Sequence, residues 1–231
     1  MFNEVWRVLR SNGTVWLNPG DSYVSADGSN NEADHFQNKD LMLIPHRVEI
    51  ALQDAGWWVR NNNFWIKDNC MPESVRSRCT RNHEYVFQLA KSEQYYFNAE
   101  AIKEPAKWER WGNQTIKKDY RGIRPIDMKT LDDRRKAGRN KRSTWHINTV
   151  PYPEFHTAVF PPELPRLCIL AGCPEGGRVL DLFVGSGTTA YVAAELGRKC
   201  IGIDLSLDYL KLAEKRCQQL TIFGALLETE E

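Results

Sequence analysis

An α/β fold built on parallel strands is expected for this 231-residue chain, and three features predict it. An apolar run, Val179–Phe183, leads straight into a turn holding Gly185 and Gly187. A helix-period segment follows through Ala190, Val192, Ala193 and Leu196 and stops at Gly197. A second apolar run, Cys200–Ile203, ends at the carboxylate of Asp204. Strand, tight turn, helix and strand in that order make a βαβ unit.

The rest of the chain supplies the other elements. Phe2, Val5, Trp6 and Leu9 recur at helical spacing, and Ser11-Asn12-Gly13 is a stop, so the chain opens in what reads as the last turns of a helix. Thr14–Leu17 reads as a short buried strand, and residues 19–38, rich in Gly, Ser, Asn and Asp, read as loop. A helix with Pro45 in its first turn should end at Gly56 and bury Val48, Ala51, Leu52 and Ala55. Strands are expected at Trp57–Arg60, Phe64–Lys67, Tyr85–Ala90 and Tyr95–Phe97, where aromatic and β-branched residues cluster. Beyond Asp204, Ser206 can cap a helix whose apolar face is Leu207, Leu210, Ala213, Cys217 and Leu220.

Composition narrows the class. Hydrophobic residues make up 42% of the chain and charged residues 26%, as in ordinary globular domains. No run of 18 apolar residues occurs, so no membrane-spanning helix is expected, and the first residues lack the pattern of a secretory signal. The six cysteines form no Cys-x-x-Cys pair and no cluster with zinc spacing, which fits a reduced, cytoplasmic setting without a metal. The net charge of +1 is unevenly spread. Residues 103–143 hold 14 Lys/Arg against 6 Asp/Glu, while the remainder holds 17 against 24. Such asymmetry points to an anionic partner for the basic stretch, or to a solvated insertion.

The chemistry lies in Arg178-Val-Leu-Asp-Leu-Phe-Val-Gly-Ser-Gly-Thr-Thr189. Two glycines allow a tight turn with the backbone close to a ligand, and a helix N-terminus follows. Asp204 lies 23 residues past Asp181, the spacing at which a carboxylate on the next strand tip grips ribose hydroxyls. Gly185-x-Gly187-x-x-Ala190 also fits a dinucleotide fingerprint, which alone is weak. Asp181, on the strand before the turn, disfavours a pyrophosphate and suits a cationic nucleoside, so an NAD-dependent oxidoreductase is the lesser alternative.

These residues carry a resemblance. Asp181-Leu-Phe-Val-Gly-Ser-Gly-Thr-Thr189, Leu196-Gly-Arg198, Ile201-Gly-Ile-Asp204, Tyr209 and Ala213-Glu-Lys-Arg216 resemble the closing motifs of the permuted (β-type) site-specific DNA amino-methyltransferases. Those enzymes modify the exocyclic amine of cytosine (N4) or adenine (N6) with methyl from S-adenosyl-L-methionine. The likeness covers nearly the whole chain. Arg7-Val-Leu-Arg-Ser-Asn-Gly-Thr-Val-Trp-Leu-Asn18, Gly20-Asp-Ser-Tyr23, Lys39-Asp-Leu41, Ile44-Pro45, Trp65-x-Lys67-x-Asn69, Met71-Pro-Glu-Ser74, His83-Glu84 and Lys91-Ser92 match its middle motifs in order. Phe155-His156-Thr157-Ala158-Val-Phe-Pro161 matches the segment before the glycine loop. Two positions depart from the pattern: Leu182 stands where the family usually has Pro, and Thr157 where an aromatic is common.

The resemblance implies a Rossmann-like S-adenosylmethionine-dependent methyltransferase sheet with an inserted target-recognition region. Three segments are expected: 1–102 from the catalytic subdomain, 103–149 as the basic insertion, and 150–231 as the cofactor-binding part. Cofactor contacts fall on Asp181, Phe183, Gly185, Ser186, Gly187, Thr188, Thr189, Asp204, His156 and Ala158. The partner is double-stranded DNA. Lys117, Lys118, Arg121, Arg134, Arg135, Lys136, Arg139, Lys141 and Arg142 are candidates to meet it, chiefly at phosphates, with Trp108, Trp111 and Tyr120 interleaved.

The family's catalytic Pro-Pro-Tyr occurs nowhere in the sequence. Asn18-Pro19 with Tyr23 is a weak substitute. The sheet is therefore expected to be incomplete and the chain inactive alone. A complementing N-terminal polypeptide or a homodimer would complete it; a catalytically dead DNA- and cofactor-binding remnant is the alternative.

Overall fold

The computed structural model describes residues 1–24, 36–105, 137–150 and 159–227, with side chains as far as residue 218. Two compact units divide the chain: Met1–Phe97 with Ser143–Glu231, and Asn98–Arg142.

The larger unit holds a four-stranded sheet of order β1-β3-β2-β4, made of Thr14–Leu17 (β1), Trp58–Ile66 (β2), His83–Ala90 (β3) and Thr144–His146 (β4). The β1/β3 and β2/β3 ladders are antiparallel, whereas β4 pairs parallel to β2. Helix α1 (Phe2–Val8) and helix α2 (Ile44–Asp54) bring Val5 and Leu52 to Trp57, Phe87 and Leu89, which form the core. Trp6 meets Trp57 edge-on at 4.9 Å, a favoured aromatic geometry. The start of α2 is capped from a distance: the Asp21 carboxylate accepts the Ile44 N–H at 3.0 Å. An anion suits that end of a helix.

Several expectations change in this half. The two separate strands at Trp57–Arg60 and Phe64–Lys67 are one strand, β2, with a bulge between Val59 and Asn61. Asparagine disfavours strands, so Asn61-Asn62-Asn63 reads as a break. The ladder survives because Asn63 donates its amide to the Val86 carbonyl at 3.0 Å and Asn61 donates to Asn63 at 2.8 Å. Tyr95–Phe97 joins no ladder; Tyr96 N–H donates instead to the Asn12 carbonyl at 2.8 Å. On α2 the buried stripe is narrower than expected. Pro45 and Leu52 are buried and Val48 half-buried, while Ala51 and Ala55 are exposed.

The βαβ unit forms the other part of the same unit. Arg178–Asp181 (β5) and Lys199–Gly202 (β6) pair in parallel, with Leu180 opposite Ile201 and Asp181 opposite Gly202. Both strands stop sooner than the apolar runs suggest: Leu182-Phe183 form a turn, and Ile203 lies past the end of β6. Helix α4 (Thr188–Glu195) lays Val192 and Ala193 on Val179 and Cys200. The sequence reading missed helix α3 (Glu163–Gly172), whose Pro165 sits in the first turn, where its missing N–H costs nothing. Its Ile169 completes the same cluster. Leu182 reaches the other core and packs against the group around Phe87 and Leu89.

The buried strand expected at 179–183 is buried on one face only. Leu180 is 40% exposed and its partner Ile201 47%. On helix α5 (Leu207–Leu227), Ala213 is buried but Leu207 is 73% exposed, so the expected apolar face begins after the first turn. Arg198 is buried and donates to the Cys173 and Leu196 carbonyls, at the C-terminal ends of α3 and α4. Among the described residues, no helix is long and apolar enough to cross a membrane.

The smaller unit begins with a 3-10 turn, Glu100–Ile102. Glu104 and Arg139 then exchange two backbone hydrogen bonds, of 3.0 and 2.9 Å, closing the segment between them at its base.

Candidate cofactor crevice and nucleic-acid contacts

The candidate site lies where β5 and β6 end side by side. Asp181 closes β5, and its carboxylate accepts the Phe183 N–H at 3.0 Å, which turns the chain sharply. Two further backbone bonds continue the pairing past the strands, from Ile203 N–H to Asp181 O and from Val184 N–H to Ile203 O. Gly185 (φ 51°) and Gly187 (φ 84°) both adopt the left-handed conformation that favours glycine. At Gly187 there is a second reason for glycine: a Cβ there would lie 2.6 Å from that of Ala213 on α5.

Asp204 locks this loop to the neighbouring strand tip. One carboxylate oxygen accepts the Gly185 N–H at 2.9 Å, and the other accepts the Ser206 N–H at 2.9 Å. Ser206 then accepts the Tyr209 N–H at 3.4 Å as α5 begins. Two carboxylates therefore stand at adjacent parallel strand tips, both partly open to solvent.

The structure thus places Asp181, Gly185 and Asp204 at the two adjacent strand tips, with Phe183, just past β5, 72% exposed. Ser186 and Gly187 lie buried in the loop, and Thr188 and Thr189 lie buried in the first turn of α4. The Thr188 hydroxyl is held by Arg216 of α5 at 3.0 Å, and the Arg216 guanidinium covers the Tyr191 ring at 5.0 Å. His156 and Ala158 lie outside the described residues. Sequence reasoning missed Leu205, which follows Asp204 and is fully exposed, and Ile203, half exposed beside it. A bulky aliphatic residue in a turn with nothing to bury it was the signal available.

A cationic nucleoside fits this donor set. One carboxylate suits a cationic ammonium or sulfonium and the other ribose hydroxyls, and the exposed side chains of Phe183 and Leu205 suit a purine ring. A pyrophosphate placed here would face two negative charges.

Beyond the crevice, Asn18 at the end of β1 donates its amide to Glu84 at 3.1 Å and to the Tyr85 carbonyl at 2.8 Å, and Lys67 pairs with Glu84. Tyr23, the candidate stacking ring, carries the Arg78 guanidinium 4.0 Å from its centroid. Of the basic candidates, Lys117, Lys118, Arg121, Arg134, Arg135 and Lys136 lie outside the described residues. Arg139, Lys141 and Arg142 are described and converge on one carboxylate, Glu104, at 3.0, 3.9 and 2.6 Å. Burial alone would push the Glu104 carboxyl up, but the three cations together hold it below the ordinary glutamate range.

Comparison with known proteins shows the family. The model of the N6/N4 DNA methylase family matches residues 1–215. The type II methyltransferase M.SmaI of Serratia marcescens is 41% identical, over 94% of this chain and 71% of its own length. M.Cfr9I of Citrobacter freundii is 38% identical, over 94% and 69%. Among solved structures, the cytosine-N4-specific PvuII DNA methyltransferase superposes with a TM-score of 0.66 at 17% identity, over 93% of this chain and 67% of that one. A DNA modification methylase from Thermus thermophilus complexed with S-adenosyl-L-methionine gives 0.59 at 21% identity, over 94% and 74%. A model match across nearly the whole chain and a relative above 40% identity place it: the chain belongs to the N4/N6 DNA methylase family, which methylates DNA with S-adenosylmethionine.

Proposed function

We propose that this chain forms the cofactor-holding and DNA-reading part of a site-specific methyltransferase acting on the cytosine N4 amine of duplex DNA, and that it is inactive alone. S-adenosylmethionine, when bound, supplies an electrophilic methyl group. The chain's residues bind and orient it. Asp204 accepts from the ribose hydroxyls, Asp181 meets the cationic methionine end, and Phe183 and Leu205 flank the purine. Gly185, Ser186, Gly187, Thr188 and Thr189 shape the loop, and His156 and Ala158 line the approach. The observation that carries this reading is the Asp204–Gly185 bond, which sets a carboxylate beside a glycine loop and an exposed apolar rim.

Duplex DNA is held by the basic insertion, through Lys117, Lys118, Arg121, Arg134, Arg135 and Lys136 together with Arg139, Lys141 and Arg142. The resemblance of Gly20-Asp-Ser-Tyr23 and Met71-Pro-Glu-Ser74 to family members that often carry Ser-Pro-Pro-Tyr leans toward cytosine over adenine. This chain has no Pro-Pro-Tyr to accept from the target amine and stack on a base turned out of the helix.

That part would come from outside these 231 residues, on a complementing polypeptide or on a further stretch of the same protein. Parallel strands are normally covered on both faces, yet Leu180 and Ile201 leave one face of β5 and β6 open, and β5 has β6 as its one ladder partner among the described residues. Transfer of labelled methyl to duplex DNA tests the reading, measured with the chain alone and with a polypeptide carrying the Pro-Pro-Tyr strand. Transfer only in the mixture is expected. Transfer by the chain alone would remove the partner, and transfer to RNA or protein but not DNA would remove the substrate.

A further inference from the structure

Residues 204–216 hold the glycine loop at both of its ends. At the start, the Asp204 carboxylate accepts the Gly185 N–H at 2.9 Å. At the far end, Arg216 of α5 donates to the Thr188 hydroxyl at 3.0 Å, and its guanidinium lies 5.0 Å from the centre of the Tyr191 ring, one turn further along α4. Ala213, one turn before Arg216 on α5, stands against Gly187, where only a missing Cβ leaves room for it. The two ends differ in what they can meet. Asp204 is partly open to solvent at its strand tip, whereas Thr188 is 3% exposed, so Arg216 can serve a ligand only through the shape of the loop. Helix α4 needs such a hold. It is eight residues long, a length that is marginal without support, and its N-cap is Gly187, so no side chain caps its first turn.

We propose that Arg216 is a positioning residue for the cofactor: by holding Thr188 it keeps residues 185–188 in their binding shape before the ligand arrives. The inference rests on the reading of the glycine loop as the cofactor loop. A loop that must be ordered on binding takes that cost out of the affinity. One already tied to α5 does not. Asp204 ties the same loop but is also proposed to meet the ribose, so its loss mixes two effects. Arg216 separates them, because the group it holds is buried behind the strand tips.

The test uses the full chain and S-adenosylhomocysteine, with affinity read by calorimetry and folding by the urea midpoint. Arg216→Ala should weaken binding by about three- to thirtyfold, a range typical of coupled neighbours. Thr188→Val, which removes the hydroxyl at nearly constant size, should do the same. The double variant should be no weaker than the weaker single one, because both remove one bond. Arg216→Lys, which can still donate, and Thr188→Ser, which can still accept, should each lose less. Hydrogen exchange gives a readout that general loss of stability would not. In free Arg216→Ala the amides of residues 185–189 should exchange faster while those of β5 and β6 keep native rates, and saturating ligand should restore most of the difference.

Native affinity in a folded Arg216→Ala would overturn the role given to Arg216. Losses that add in the double variant would overturn it too, since the two residues would then act separately. So would exchange that quickens throughout the βαβ unit, since Arg216 would then serve stability alone. In each of these outcomes the native protein still binds the ligand, and the cofactor reading stands. Native protein that binds no S-adenosylhomocysteine would overturn that reading and this inference together.

Discussion

The Asp204 carboxylate accepts the Gly185 N–H at 2.9 Å, so the tip of β6 and the glycine loop after β5 are held by one side chain. Its other oxygen takes the Ser206 N–H, which starts α5. Loop shape and helix start therefore depend on the same group that is proposed to meet the ribose.

Asp204→Ala should consequently lose more than one contact. A hydrogen bond to a charged group contributes about 1.5–3 kcal/mol, equivalent to about ten- to hundredfold in affinity. Calorimetry with S-adenosylhomocysteine should show a loss in that range, and Asp204→Asn, which retains one acceptor, a smaller one. Native affinity in the alanine variant would separate Asp204 from the ligand.

Gly187→Ala tests the loop from the packing side. A left-handed φ of 84° costs an alanine about 1–2 kcal/mol. The added Cβ would also stand 2.6 Å from that of Ala213, and such overpacking costs about 1–3 kcal/mol. A stability loss of about 2–5 kcal/mol is expected from urea titration. The second substitution Ala213→Gly should recover part of it; no recovery would mean the strain lies in the backbone alone.

His83 gives a pH dependence of definite sign. Burial first, and Arg81 second, lower its pKa below 6.5, so the folded protein favours the neutral ring. A depressed pKa means the unfolded chain binds more protons in that window, so stability rises with pH. The contribution is complete above the unfolded value near 6.5 and is lost as pH falls through the folded one. The urea midpoint of the native protein should drop as pH falls from about 7.5 to about 5.5, a window that brackets the ordinary histidine value, and His83→Gln should flatten that drop. Equal slopes in both proteins would remove His83 as the cause. Glu104, also depressed, titrates below this range and does not interfere.

Cysteine reactivity should divide by burial. Burial pushes the Cys200 thiol up to about 12, with Asp181 and Cys217 adding to it, and burial also raises Cys168. The thiolate is the reactive form, so a disulfide reagent in mildly alkaline buffer should modify exposed Cys79 quickly and Cys168 and Cys200 only on unfolding. Fast labelling of Cys200 in folded protein would mean that β6 opens locally.

Much of the architecture is legible from local patterns. Thr14–Leu17 alternates nothing and is short, yet it forms the strand expected there, because the Asn12-Gly13 stop and the loop after Leu17 bound it tightly. Gly185, Gly187 and Asp204 meet as their spacing implies, since a strand, a turn and one helix leave little freedom between them. What local patterns hide is tertiary. The run Asn61–Asn63 is a strand because it pairs with Gln88, Phe87 and Val86 across the ladder, with the Asn63 amide adding a bond to the Val86 carbonyl. Helix α3 carries a proline that reads as a breaker, and β4 is three residues long and paired with a strand far away in sequence. Leu205 could be read as core from its type, and only the structure shows it fully exposed beside the strand tips.

Arg198 has a consequence for how this half of the molecule melts. Its guanidinium is shared between the carbonyls of Cys173 and Leu196, at the ends of two helices that carry partial negative charge. Loosening either helix would strand a cation in apolar surroundings, so neither can fray far without the other. The stretch from α3 to β6 should come apart as a block, and a nucleoside seated at its strand tips would raise the temperature of that single step.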